Sequence, residues 1–348
     1  MKKYIDAKTG YEICQYTFGP ERNAKLYFST ENFTPDDRYF IFQRTAAGVV
    51  LSAERPLYRA NVETGEITLL ADARYTRFAM HWQENYGVVY REEDSMVCRI
   101  DIDDGKITEL GRFPEGTRPN EHLTVSNDGH VICSVQLSDG FYALLLLRPG
   151  EKEAEIVHIT DQNISHGQIC PTDSNLIFFV NETGGNALQR TWMLDVKSRA
   201  VRPYFVEHPY PDNEWITHET WTADGEGMVF MNCPHEIWMG DKDGRHFDKI
   251  YYNDRHVLHP GISRDRQWVC TDGFCKRDDG KDCWGIRLVN PHTGNAEMLA
   301  YTENCGLNGM DHAHPSFNRA GDKVIFGAPD ETGNAQICVI DLNQVKRP

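Results

Sequence analysis

One kind of segment recurs along the 348-residue chain, and it constrains the fold more than any other feature. It reads FTPDDRYFIFQ from Phe33, LTVSNDGHVICSV from Leu123, ICPTDSNLIFFV from Ile169, ETWTADGEGMVFM from Glu219, GISRDRQWVCTDG from Gly261 and PSFNRAGDKVIFG from Pro315. A looser copy, HWQENYGVVYR, starts at His81. Each is a strand, a tight Asp/Asn/Gly turn and a second strand that is alternating or wholly apolar. Most are followed by a further pair of strands about a turn, as in LYRANVETGEITLL, VCRIDIDDGKITEL and IRLVNPHTGNAEMLA. Four strands per unit, repeated about seven times at a period of roughly 40–55 residues, predict a β-propeller. The fold expected is therefore all-β, a seven-bladed propeller forming a single domain over residues 1–348. The last unit stops after one strand, AQICVIDLN, while the N-terminal KKYIDAKTGYEICQYT has no unit before it. The N-terminal strand is expected to join the last blade and close the ring.

Composition narrows the function classes. A chain that is 40% hydrophobic and 25% charged can build a sizeable core. The N-terminus has no apolar signal region and no run approaches 18 apolar residues, so no secretion signal and no membrane span are expected, and a cytoplasmic location is. Ten cysteines are scattered without a CxxC pair, which predicts reduced, buried thiols. The Cys270, Cys275, Cys283 group fits no standard zinc spacing. A net charge of −16 without any Lys/Arg run excludes phosphate-backbone binding, hence nucleic acid. An anionic ligand would need positive charge, an arginine or a metal, concentrated at its site.

Histidines supply the sharper signal. His166, His218, His259 and His314 each stand immediately before a repeat, at the same place in four consecutive units, and His312 precedes His314 by two residues. In extended chain, residues i and i+2 point to one side. Equivalent positions of neighbouring blades converge in a propeller, so these imidazoles are expected to form a site. Neutral imidazoles in such a group suit a divalent transition metal rather than calcium. His130, His158, His208, His246 and His292 fall in turns or outer hairpins and read as surface residues.

The segments HGQICPTDSNLIFFVNETGGNALQRTW, HETWTADG, HPGISRDRQWV and HAHPSFNRAGDKVIF resemble those of the oligogalacturonate lyases, seven-bladed propeller enzymes of a polysaccharide lyase family. DAKTGYEICQYT and FTPDDRYFIF extend the resemblance nearly end to end. It implies a manganese ion held by three histidines and a glutamine, with the ion binding the uronate carboxylate of a short pectin fragment. On matching motifs the metal ligands would be His259, His312 and His314, the base that removes the C5 proton His218, and the assisting arginine Arg190. The sequence departs from the pattern at Gly309, where the family has its glutamine; the adjacent Asn308, or water, would fill that position.

The chemistry is coherent on its own terms. Removing a proton beside a carboxylate loads charge onto an anionic group, and a cation there stabilises the transition state. The base must be unprotonated near neutral pH, which suits histidine. His166 and Gln168 are expected to contact the substrate, a small acidic oligosaccharide. Trp192, Trp215 and Trp221 either stack on sugar rings or pack between blades. Three other readings stay open: a lyase of another uronate glycan, a propeller that only binds partner proteins, and a glycosidase. The last needs two carboxylates about the scissile bond, and only Glu219 and Asp311 lie near the histidines in sequence.

Overall fold

The computed structural model describes residues 1–46, 55–182, 190–205, 215–276, 280, 282–302 and 312–348. Among them are seven antiparallel sheets, and apart from two short 3₁₀ turns the regular structure is entirely strand. This is the seven-bladed β-propeller that the repeats predict. No helix among the described residues is long and apolar enough to cross a membrane.

The chain forms two compact units. One comprises Met1–Asp72, Val229–Met239 and Asp248–Pro348; the other comprises Ala73–Met228 and Gly240–Phe247. In the first, the last sheet runs in the order Lys2–Ile5, Glu12–Gln15, Ala335–Asp341, Lys323–Pro329, Ser316–Phe317. The N-terminus thus contributes two strands where one was expected. Ile13, Cys14 and Gln15 pair with Ile340, Val339 and Cys338, covering an edge that would otherwise present unpaired amides.

The apolar strands alternate between two buried faces. In the strand Val131–Leu137, Val131, Cys133 and Val135 pack with Val88, Tyr90 and Val97 of the preceding sheet. Ile132 points the other way, into the cluster of Ile169, Ile177 and Phe179 of the following sheet. The neighbouring strand Tyr142–Leu147 divides likewise, Leu145 and Leu147 to one cluster and Leu144 and Leu146 to the other. Period-two geometry with both faces covered explains runs such as ALLLL, each such side chain contributing about 1.5–3 kcal/mol.

The turns explain the polar part of the repeat. Thr34, Ser126, Thr222 and Ser263 donate their hydroxyls to Asp36, Asp128, Asp224 and Asp265, each two residues on. The same hydroxyls accept the amides of Tyr39, His130, Gly227 and Trp268, which begin or precede the returning strand. The outer hairpin at Asp241 closes on Gly244, whose φ of 70° favours glycine. A Cβ there would lie 1.6 Å from the carbonyl oxygen of Tyr204. Gly244→Ala should therefore lower stability by more than about 1 kcal/mol, read as a reduced urea midpoint; an unchanged midpoint would show that the hairpin relaxes freely.

Candidate metal centre and a histidine–carboxylate network

Five residues at equivalent places share an uncommon backbone. Arg77, His166, His218, His259 and His314 have φ of 59°, 49°, 56°, 43° and 45°, in the left-handed region that non-glycine residues rarely enter. Ladder register shifts between Thr76 and Ala79, Ser165 and Gln168, and Leu258 and Gly261, so a β-bulge surrounds three of them. Each stands four residues before the residue that caps the following turn: His218 before Thr222, His259 before Ser263, His314 before Asn318. His81 holds the capping place of its own repeat, its Nδ1 accepting the amides of Gln83 and Glu84.

In the first unit, the metal-ligating atoms of His259, His312 and His314 all lie within 4.8 Å of one another. His259 and His314 are buried and their rings are 4.2 Å apart, edge to face. The His312 ring lies 4.9 Å from that of Trp284. His259 donates from Nδ1 to Asp272 Oδ1 (2.8 Å), which leaves Nε2 with its lone pair, and the other oxygen of Asp272 accepts the amide of His314 (3.0 Å). Burial, then the neighbouring imidazole, pushes His259 and His314 well below the usual histidine range. Burial also lowers His312. Three neutral imidazoles with converging lone pairs are a donor set that fits a divalent cation. Lys25, buried on the strand Arg22–Lys25, is pushed down to about 7 by burial, against the pull of Cys270, Glu31 and Asp272. Asn308, Gly309 and Asp311 lie outside the described residues.

A different histidine environment lies in the second unit. His166 donates from Nδ1 to Glu219 Oε2 (3.1 Å), and Arg190 donates to Glu219 Oε1 (2.5 Å), to the Ile216 carbonyl (3.1 Å) and to Glu182 (2.9 Å). Arg190 and Glu219 are each only 1% exposed. Glu121 accepts the successive amides of His166 and Gly167 at the bulge, at 2.7 and 2.6 Å. Burial opposes the charge on Glu219, yet Arg190 and His166 outweigh it and bring its carboxyl to about 2. Burial likewise opposes the charge on His166, but Glu219 and then Glu121 outweigh it and raise the imidazole.

The expected site residues thus fall into two groups. His259, His312 and His314 come together, while His166 and Arg190 are joined through Glu219. His218 sits half-buried in the strand Trp215–Trp221. Gln168 is buried, with its amide donating to the Glu219 carbonyl (2.7 Å). Trp221 is buried and donates to the Gln168 carbonyl, whereas Trp215 is 40% exposed. Four participants escaped the sequence reading: Asp272, Glu121, Glu182 and His122. His122 stands four residues before Ser126 and so occupies the same repeat position as the others, a signal present in the spacing.

Two outcomes follow from this geometry. Asp272→Asn should lower divalent-metal affinity about 10–100-fold, as losses behind ligating histidines do, measured by competition with a chromogenic chelator; unchanged affinity would detach Asp272 from the centre. The depressed Glu219 carboxyl contributes stability that is fully present above its ordinary value of 4.5 and lost as pH falls from there toward about 2. Glu219→Ala should remove about 3–5 kcal/mol at neutral pH and flatten that acid dependence in urea titrations; an unflattened curve would place the dependence elsewhere.

No family profile matches the sequence, and no curated protein matches it. Solved structures do resemble the fold. An oligogalacturonate lyase from Vibrio parahaemolyticus superposes with a TM-score of 0.84 at 17% identity, over 99% of this chain and 97% of that one. An oligogalacturonate lyase in complex with manganese gives 0.82 at 16% identity, over 99% and 96%. A putative TolB from Agrobacterium tumefaciens reaches 0.51 at 13% identity, over 81% and 96%. The chain has the seven-bladed fold of solved oligogalacturonate lyases along nearly its whole length.

Proposed function

We propose that the protein is a divalent-metal-dependent lyase that cleaves short uronate oligosaccharides, the oligogalacturonides of pectin, by β-elimination. The observation that carries this reading is the convergence of His259, His312 and His314 as neutral imidazoles behind Asp272. The fold shared with oligogalacturonate lyases, one of them in complex with manganese, supports both the reaction class and manganese as the metal.

In this reading His259, His312 and His314 hold the ion, with Asn308 proposed as a fourth ligand. When bound, a divalent cation supplies positive charge to the uronate carboxylate beside the carbon that loses its proton. The chain needs such a source of charge. Its net charge is −16, and the Arg190 guanidinium is already answered by Glu219 and Glu182. Asp272 keeps His259 in the tautomer that binds metal. His218 accepts the C5 proton, and Arg190 acts by holding Glu219 and Glu182 in place.

The test is incubation with oligogalacturonides and manganese, following the ultraviolet absorbance of the unsaturated uronate product. Activity that disappears with chelator and returns with metal is expected; no product under any divalent metal would overturn the assignment. His218→Ala should lower turnover by about 10²–10⁴ while retaining bound metal, because a base contributes mainly in the transition state. Near-normal turnover, or loss of the metal, would remove His218 from that role.

A further inference from the structure

Three cysteines that stand together in sequence part in the fold. Cys270 and Cys275 lie on the strand Val269–Lys276, five residues apart and therefore on opposite faces. Cys270 packs into the core with Leu258, Trp284 and Phe317. Cys275 stands directly opposite Cys283 of the neighbouring strand Asp282–Val289, one step inside the Lys276–Asp282 pair at which the described ladder ends. The two Sγ atoms are 2.7 Å apart.

Directly opposed residues of an antiparallel pair hold their Cα atoms about 4.5–5.5 Å apart, inside the span of about 4.4–6.8 Å that a disulfide bridges. With both thiols on one face and already in contact, the bond needs no backbone movement. The surroundings leave room for it. A Cβ at Gly285, next along the same face, would lie 3.2 Å from Cys275 Sγ and 2.9 Å from Met298 Sδ, and glycine places nothing there. Cys275 and Cys283 also keep a small opening to solvent, at 6% and 7% exposure, whereas Cys98, Cys133, Cys170 and Cys270 keep none.

The two sulfurs are not equivalent. Burial, then the bond to Cys283, pushes the Cys275 thiol up to about 12. Cys275 thus keeps its proton, and Cys283 is the sulfur placed to attack first. Arg287, buried two positions beyond Gly285 on the same face, lends the pair positive charge.

We propose that Cys275 and Cys283 form a reversible dithiol–disulfide pair, oxidised by a small-molecule disulfide, that locks together the strands carrying Asp272 and Trp284. The Cys283 sulfur attacks one sulfur of the reagent, and the other half leaves as a thiol with the proton that Cys283 gave up. The Cys275 sulfur then attacks Cys283 in the mixed disulfide, and the second thiol leaves with the Cys275 proton. Two protein thiols lose two electrons, and one small disulfide becomes two thiols. The lock adjoins the histidine cluster of the same unit. Asp272, on the Cys275 strand, accepts from His259, and the ring of Trp284, next to Cys283, lies 4.9 Å from that of His312. No substrate enters this argument, so it stands apart from the lyase reading.

Oxidised glutathione added to the folded, reduced protein is the test. After acid quenching, thiol titration in denaturant should show the ten thiols reduced by two. Peptide mapping should find one disulfide, Cys275 to Cys283, that dithiothreitol reverses. Cys275→Ser lacks the second sulfur and should stop at a glutathione adduct on Cys283. Amide exchange in Val269–Lys276 and Asp282–Val289 should slow by about tenfold or more on oxidation, because the bond closes the end of the hairpin. Ten thiols surviving in the folded protein, a disulfide between other cysteines, or a glutathione adduct persisting on the wild type would each overturn the pairing. An unmodified Cys275→Ser protein would overturn the order of attack, and a bond that leaves exchange unchanged would overturn the lock.

Discussion

The left-handed residue in the first strand of a blade is the constraint on which the rest depends. Holding a non-glycine residue there costs on the order of 1–3 kcal/mol. Glycine would adopt the same backbone without strain, yet four of the five such positions carry histidine and the fifth arginine. The side chain is therefore the reason for the conformation. A regular strand would alternate its residues between two packed faces, as Val131–Leu137 does; the bulge takes one residue per strand out of that alternation.

The same backbone device meets two electrostatic settings. His259 and His314 are enclosed with other imidazoles and a single carboxylate, so burial strips them of protons and leaves lone pairs for a cation. His166 is enclosed with Glu219 and Glu121, which outweigh burial and raise the imidazole. Burial favours the neutral imidazole in both settings, and only beside Glu219 and Glu121 do neighbouring charges outweigh it. Identical positions in a repeat thereby shift in opposite directions according to what is packed behind them.

How much of this was legible in the sequence follows from range. The blades were legible because turn chemistry and strand periodicity are local: Thr34, Ser126, Thr222 and Ser263 bond to residues two to five positions away. The clustering of His259, His312 and His314 was legible because the repeat and the His-x-His spacing place them in register, and the resemblance to oligogalacturonate lyases singled them out. Their supports were not. Asp272 reads as one more residue of a strand, and Glu121 reaches His166 across 45 residues. Arg190 reads as the assisting arginine from its motif, and its enclosure between two carboxylates was not legible. His122 went unread because its strand is broken into Thr117–Pro119 and Thr124–Val125, which obscures the common spacing.

The role proposed for His259, His312 and His314 is to bind one divalent cation through neutral imidazole nitrogens. Pulsed electron paramagnetic resonance on the manganese-loaded protein addresses it directly, because ¹⁴N couplings arise only from nitrogens bonded to the ion. Couplings from imidazole nitrogens on a single class of bound manganese are expected. A spectrum of fully hydrated manganese, with no nitrogen coupling at stoichiometric loading, would contradict it.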